Sequence, residues 1–265
     1  MNATPNYLEL TGKVCVVTGA GSGIGRAVAL ALGREGAAVA VLDRDAGAAN
    51  AVAADIRALG AKAEALVCDV SDERSVREVA ARCAASLGPC DVLFNNAGIL
   101  RGGSMAEMPL ADWNAVLQVN LTGAFIVAQT FGQQMLARQR GSIIHTASIA
   151  ASFATLNAGA YSVAKAGIAA LSRQLAMEWG PLGVRSNAVC PGMTLTPLTQ
   201  AAYNSPGQTA ARSKLIPAGR IGRPEEIAEA VLFLASDRSS YTNGAELTID
   251  GAFTRNLMAL VPRTV

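Results

Sequence analysis

From Lys13 onward the chain alternates short β-branched runs with longer Ala-rich stretches whose apolar positions recur at helical spacing. That alternation predicts a parallel sheet covered by helices on both faces. A strand buried on two sides reads as a continuous apolar run, whereas a helix needs only an apolar stripe. Seven runs are assigned as strands: Val14 to Thr18, Ala38 to Asp43, Ala63 to Asp69, Asp91 to Asn96, Ser142 to Ser148, Val184 to Cys190 and Glu246 to Asp250. Helices are expected between them, among others over Ile24 to Glu35, Asp45 to Leu59 and Asp72 to Leu87. The last two open on an acid, which suits the positive end of a helix dipole. The expected architecture is α/β, with seven parallel strands in one doubly wound domain spanning residues 1–265.

Two stretches break the rhythm. Residues 193–223 carry Pro197, Pro206 and Pro217 among several Gly and Ser residues, which predicts an excursion over the surface after the sixth strand. Loops at the carboxyl ends of such strands are where ligands bind, so this segment is a candidate substrate lid. The other stretch, Trp113 to Ala137, has no charge, yet it holds Asn114, Gln118, Asn120, Thr122, Gln129, Thr130, Gln133 and Gln134. So many amides are costly in lipid. A helix buried partly by its own core and partly by another subunit is the better reading. An oligomer is therefore expected, and a monomer in sedimentation at micromolar concentration would contradict it.

Composition narrows the function. Twenty-two Lys and Arg against twenty Asp and Glu leave a formal charge of +2, too weak a field to hold nucleic acid or an anionic membrane. The five cysteines, Cys15, Cys68, Cys83, Cys90 and Cys190, are odd in number, form no CxxC pair and sit mostly in apolar runs. They are expected as buried thiols in a reducing compartment. The N-terminal sequence has neither the basic start nor the apolar stretch of a signal peptide, and a cytoplasmic location is the expectation.

The turn after the first strand reads TGAGSGIG, with Gly19, Gly21, Gly23 and Gly25. Glycine permits a tight strand-to-helix turn and lets backbone N–H groups approach a pyrophosphate, whose charge the helix N-terminus favours. A plain tight turn needs glycine as well. What raises this one is its place between a strand and a helix, with an acid, Asp43, ending the next strand. That carboxylate can accept hydrogen bonds from adenosine ribose hydroxyls and would repel a 2′-phosphate, so NAD is expected over NADP. Arg44 pulls the other way, because a guanidinium pairs with phosphate. A solvated Asp43 that merely caps the following helix is the plain alternative.

Chemistry is expected from Tyr161 and Lys165 in YSVAK, four apart on one helix face, thirteen residues after Ser148. A phenol has a pKa near 10 and is a poor base at neutral pH; a neighbouring ammonium favours the phenolate. A lone YxxxK is common, and its plain reading is a Lys lying over a surface Tyr. Here it is joined by NNAG at 95–98, by Asn120, and by Pro191 and Gly192 after the sixth strand. The strand-end members can converge on one crevice at the carboxyl edge of the sheet.

This set resembles the short-chain dehydrogenase/reductase family, over nearly the whole chain from about Leu8 to Asp250 and with the motifs in the family's order and spacing. The resemblance implies a Rossmann fold, a nicotinamide cofactor, and hydride transfer between it and a secondary alcohol or ketone. It implies Tyr161 as proton donor or acceptor, Ser148 holding the substrate oxygen, and Lys165 on the nicotinamide ribose, lowering the Tyr161 pKa. Asn120 would position a water in a proton relay reaching Lys165. Cofactor contacts are implied for Gly19, Ser22, Gly23, Ile24, Gly25 and Asp43, for Asp69 and Val70 at adenine, for Asn96, Ala97 and Gly98, for Pro191 and Gly192, and for Thr194 or Thr196 near the nicotinamide amide or phosphates. The basic residue frequent in the glycine loop of NADP users is absent, with Ser22 in its place. A homotetramer is implied on the same ground.

Other classes fit less well. His145, the one histidine, lies three residues before Ser148 in the same apparent strand, with no GxSxG elbow, which disfavours a Ser–His hydrolase. One His and scattered cysteines make no zinc set, and no metal is expected. Trp113 and Trp179 are read as core or interface, Tyr203 as a loop aromatic, and Arg101 and Arg220 as solvated. The leading reading is an NAD-dependent dehydrogenase of an alcohol, polyol or sugar. A 3-oxoacyl carrier-protein reductase is the near alternative, and a non-catalytic nucleotide-sensing regulator the one from another class. The substrate pocket is expected along residues 99–103, 150–153, Asn157 and 193–203.

Overall fold

The computed structural model describes residues 7–203, 206–257 and 261. Its strands are β1 (Val14–Thr18), β2 (Ala38–Asp43), β3 (Ala63–Val67), β4 (Val92–Asn95), β5 (Gly141–Thr146), β6 (Val184–Pro191) and β7 (Glu246–Ile249). They form one sheet in the order β3-β2-β1-β4-β5-β6-β7, and every pairing is parallel. β1 and β4 are buried at every position, as their unbroken apolar runs require. The helices are α1 (Gly23–Arg34), α2 (Ala46–Ala58), α3 (Glu73–Ser86), α4 (Leu110–Leu117), α5 (Gly123–Arg138), α6 (Ala160–Trp179), α7 (Pro206–Leu215) and α8 (Pro224–Ala235).

Two apolar layers hold the helices to the sheet. On one face Val28 of α1, Ile56 of α2 and Val231 of α8 pack on Val17, Val41 and Ile144. On the other, Val79 of α3, Phe131 of α5 and Leu175 of α6 pack on Val16, Leu93 and Ile143. After β1 the chain builds outward through β2 and β3, then returns to place β4 on the opposite side of β1. The carboxyl ends of β1 and β4 therefore flank the crevice where a doubly wound sheet takes its ligand.

The elements match the sequence expectation in number and order, with differences at their ends. β3, β4 and β5 stop one or two residues early because polar residues there turn away into loops. Asp69 accepts the Ser71 N–H at 2.9 Å, and Ser148 caps a short 3-10 turn over Ile149–Ala151. Ser148 is thus outside the strand that holds His145. Asp45 and Asp72 stand one residue before α2 and α3 as N-caps, accepting the N–H of Ala48 and Arg74 at 3.0 and 2.9 Å.

The uncharged stretch forms a continuous helical span, Leu110–Arg138, in which a π turn over Gln118–Thr122 joins α4 to α5. Its length and hydropathy would suffice for a membrane, yet Gln118, Asn120 and Gln134 bond inside the protein. Gln118 Nε2 donates to the Ser71 carbonyl at 3.1 Å, and Gln134 Oε1 accepts the Cys90 N–H at 2.9 Å. Phe131 and Met135 are fully buried. Close passage of α5 and α6 needs Gly132, where a Cβ would stand 2.5 Å from the Trp179 ring.

The excursion is not bare loop: it contains α7 and a 3-10 turn at Gln200–Tyr203. Its two ends meet. Leu195 N–H donates to Gly222 O at 3.0 Å and Gly222 N–H to Met193 O at 2.9 Å. Arg212 lies over the Tyr203 ring at 5.1 Å. All five cysteines are buried free thiols.

Candidate active site

The turn between β1 and α1 is built on glycine for two reasons. Gly19 and Gly23 adopt φ of +62° and +53°, which side-chain-bearing residues rarely adopt, and a Cβ on Gly25 would stand 2.1 Å from the Gly19 carbonyl. Ser22, the N-cap of α1, makes no side-chain capping bond, so the first N–H groups of α1 keep no capping side chain. Asp43 reaches this turn from β2. One carboxylate oxygen accepts the Gly21 N–H at 2.8 Å and the other the Asp45 N–H at 3.0 Å. Thr18 at the end of β1 ties the turn to the loop after β4. Its hydroxyl accepts the N–H groups of Asn96 and Ala97 at 2.9 and 3.0 Å, while Asn96 Nδ2 donates to the Thr18 carbonyl at 3.0 Å.

At the far end of the cleft lie Ser148, Tyr161 and Lys165. Ser148 accepts the Ala150 N–H at 3.1 Å and is hydrogen-bonded to the Tyr161 phenol. Lys165 is 4% exposed; its Nζ donates to the Thr146 carbonyl at 2.6 Å and stands 5.5 Å from the centroid of the Tyr161 ring. Burial pushes the Lys165 pKa down to about 8, since a charged amine loses solvation there. Burial also raises the Tyr161 pKa, and the Ser148 bond opposes that rise. At Tyr161 desolvation thus comes first, and the contact that opposes it comes from Ser148.

Asn120 sits on the π turn, fully buried. Its Oδ1 accepts the Ile99 N–H at 2.7 Å and its Nδ2 donates to the Ile99 carbonyl at 2.9 Å. Both side-chain groups are thereby engaged with the loop after β4. π turns recur at functional sites because they re-aim one turn of helix.

One cleft joins these parts. It is lined by Gly19, Ser22, Gly23 and Ile24, by Asp43, Asp69 and Val70, by Asn96, Ala97 and Gly98, by Ser148, Tyr161 and Lys165, and by Pro191, Gly192, Thr194 and Thr196. Of the residues singled out from sequence, Gly25 and Asn120 stand behind the lining, Gly25 because its missing side chain faces Gly19 O and Asn96, Asn120 because Ile99 takes both ends of its amide. Thr194 and Thr196 both reach the cleft, Thr196 resting 3.3 Å from where a Gly23 Cβ would be. Ile99 and 196–199 line it, but residues 100–103, 150–153, Asn157 and Tyr203 do not. Those loops meet one another instead, Gly103 N–H donating to the Asn157 carbonyl at 2.8 Å. Arg101 pairs with Asp112, and Arg220 with Glu226.

Two contributors, Thr18 and Thr146, were not singled out from sequence. Thr18 belongs to the glycine motif, and a hydroxyl at a strand end beside such a turn was the available signal. Thr146 acts through its backbone carbonyl, which leaves no mark in a sequence. Arg44 lines the cleft beside Asp43 and helps hold the Asp69 carboxylate below its ordinary range, behind the larger effect of its bonds to Ser71.

The fit to a dinucleotide rests on these contacts. A Cβ at Gly21 would strike Asp43 Oδ2 at 2.8 Å, so the turn is shaped to bring backbone N–H groups and the acid together without side chains between. Residues 19–254 match the family model described as enoyl-(acyl carrier protein) reductase. The chain is 43% identical over 246 residues to D-threitol dehydrogenase of Mycolicibacterium smegmatis, covering 93% of this chain and 94% of that protein. It is 38% identical to the 3-oxoacyl-[acyl-carrier-protein] reductase of Thermotoga maritima, covering 92% and 98%. A crystal structure of a gluconate 5-dehydrogenase from Burkholderia cenocepacia, in complex with NADP and tartrate, superposes with a TM-score of 0.90 at 34% identity, covering 94% and 98%. The chain belongs to the short-chain dehydrogenase/reductase family and is an oxidoreductase acting on CH–OH groups.

Proposed function

We propose that this protein interconverts a secondary alcohol of the polyol or sugar class with its ketone, using NAD. The observation that carries the reading is the convergence of Ser148, Tyr161 and Lys165 on a cleft continuous with the glycine turn and Asp43. The bound nicotinamide would accept the hydride in oxidation and supply it in reduction. Within the chain, Tyr161 takes the alcohol proton in one direction and returns a proton to the carbonyl oxygen in the other. Ser148 hydrogen-bonds that same oxygen. Lys165 donates to the nicotinamide ribose and supports the phenolate, and Asn120, both ends of its amide on Ile99, holds the loop after β4 in place. Asp69 and Val70 meet the adenine, the glycine turn and the α1 N-terminus take the pyrophosphate, and Thr194 or Thr196 meets the nicotinamide amide.

The names of relatives support the substrate class: they include D-threitol, NAD-dependent glycerol and galactitol dehydrogenases. NAD is favoured by the Asp43 carboxylate at the lip of the turn. Arg44 in the cleft lining and the NADP bound in a solved relative support a second reading, an NADP-dependent 3-oxoacyl reductase. A cytoplasmic homotetramer completes the proposal.

Tyr161→Phe tests it. With NAD and a panel of polyols, followed by reduced-nicotinamide absorbance, kcat should fall about 10²–10⁴-fold while cofactor affinity is kept. Turnover near wild type would remove Tyr161 as the acid/base. Wild-type protein that binds cofactor but turns over nothing across the panel would favour the nucleotide-sensing reading.

A further inference from the structure

His145 is the chain's one histidine, and in β5 it is fully buried. Neither ring nitrogen has a hydrogen-bond partner. A neutral imidazole offers one N–H donor and one bare acceptor nitrogen, and leaving either unmet in a protein interior is destabilising.

Alternation along β5 settles which way the ring points. Ile143 packs with Val127, Phe131 and Leu175 of α5 and α6, whereas Ile144 packs with Val28 and Val231 of α1 and α8. Side chains along a strand alternate with period two, so His145 shares the α5/α6 face with Ile143. That face carries Lys165, whose Nζ bonds the carbonyl of Thr146, the very next residue. The ammonium has two N–H donors beyond that bond. Among the titratable groups on α5, α6, β4 and β6, Lys165 is the one whose charge acts on His145, with Tyr161 and Cys190 close to Lys165, while Arg138 of α5, Arg173 and Glu178 of α6 and Arg185 of β6 pair elsewhere. The β4 and β6 register partners of His145 are Asn95 and Ala188, and α5 brings Ala124 and Val127, none of which titrates.

We propose that His145 is a positioning residue of the acid/base centre, holding a buried water between its acceptor nitrogen and the Lys165 ammonium. The water accepts one N–H from Lys165 and donates to the imidazole, so no proton is gained or lost. Buried waters typically make about three such bonds to groups otherwise unmet. Burial, and then the nearby ammonium, hold the imidazole pKa down to about 4, which keeps the acceptor nitrogen bare at working pH. The inference rests on Tyr161 and Lys165 being the acid/base pair, and adds what keeps the lysine charged. Without the imidazole the ammonium loses an acceptor, its charged form is less favoured, and the phenolate it supports forms only at higher pH.

Two measurements on untagged protein decide it. Because there is a single histidine, imidazole ¹H–¹⁵N spectra report His145 alone, and need neither substrate nor turnover. They should show one neutral tautomer at pH 6, and Lys165→Met should raise its titration midpoint. In the pH profile of kcat for alcohol oxidation, His145→Phe should move the acid limb up by about one unit, a roughly tenfold loss at low pH. His145→Gln, whose amide can hold the same water, should restore the limb. An imidazole titrating at its ordinary value, a midpoint that Lys165→Met leaves unmoved, or a Phe variant that scales kcat without moving the limb would each overturn the proposal. If His145→Phe does not fold, the spectra of the wild type and Lys165→Met decide alone. Failure of the acid/base reading looks different: Tyr161→Phe keeps its turnover.

Discussion

Asp43 spends one carboxylate oxygen on Gly21 and the other on Asp45, so its charge is held at the lip of the glycine turn rather than swinging in solvent. A 2′-phosphate arriving there meets a fixed negative charge, with Arg44 next to it in the lining as a compensating group. Asp43→Ala should therefore shift the ratio of kcat/KM for NAD over NADP toward NADP by about tenfold or more, the worth of a hydrogen bond to a charged group. Unchanged selectivity would show that another residue discriminates. At this scale the sequence was legible wherever a side chain carries the role, as with Tyr161, Lys165, Ser148 and Asp43. It was silent where the backbone acts, as at the Thr146 carbonyl, and where burial shifts a group, as at the Tyr161 phenol.

Among elements, the glycine turn is the most tightly specified. A Cβ on Gly25 would occupy the space of the Gly19 carbonyl, a contact that only displaced backbone can relieve. Gly25→Ala should weaken NADH binding at least about tenfold, measured by nicotinamide fluorescence, and lower Tm. Wild-type affinity would mean that the turn does not cradle the cofactor. Strand and helix cores could be read from periodicity because burial dictates it. Ends could not, since hydrogen bonds such as those of Asp45 and Asp72 decide them. The π turn at Gln118–Thr122 was equally hidden: its extra residue per turn answers to the Asn120 and Ile99 contacts, which only the folded chain brings together.

For the whole molecule, the helical layer of α4, α5 and α6 leaves Leu110, Phe125, Val163 and Met177 between 44% and 77% exposed. A second copy of this chain would cover such groups at a favourable burial of about 25 cal/mol per Å². Sedimentation at micromolar concentration should return a multiple of 27.1 kDa, and Phe125→Asp should shift the distribution toward the single chain. A wild-type monomer would contradict the proposed assembly. The parallel sheet and its crevice were legible at this scale, because they follow from element order. The helix within residues 193–223 was not, since prolines and glycines there mask its period. That segment leaves the sheet after β6 and comes back to within a hydrogen bond of its own starting point, Met193 and Leu195 clasping Gly222. A detour whose two feet share one doorstep can lengthen, shorten or be exchanged without tugging on the strands beneath, since each doubling of a loop adds only about 0.6 kcal/mol of closure entropy. Appetite for one alcohol or another can thus drift on a fixed hydride-transfer chassis.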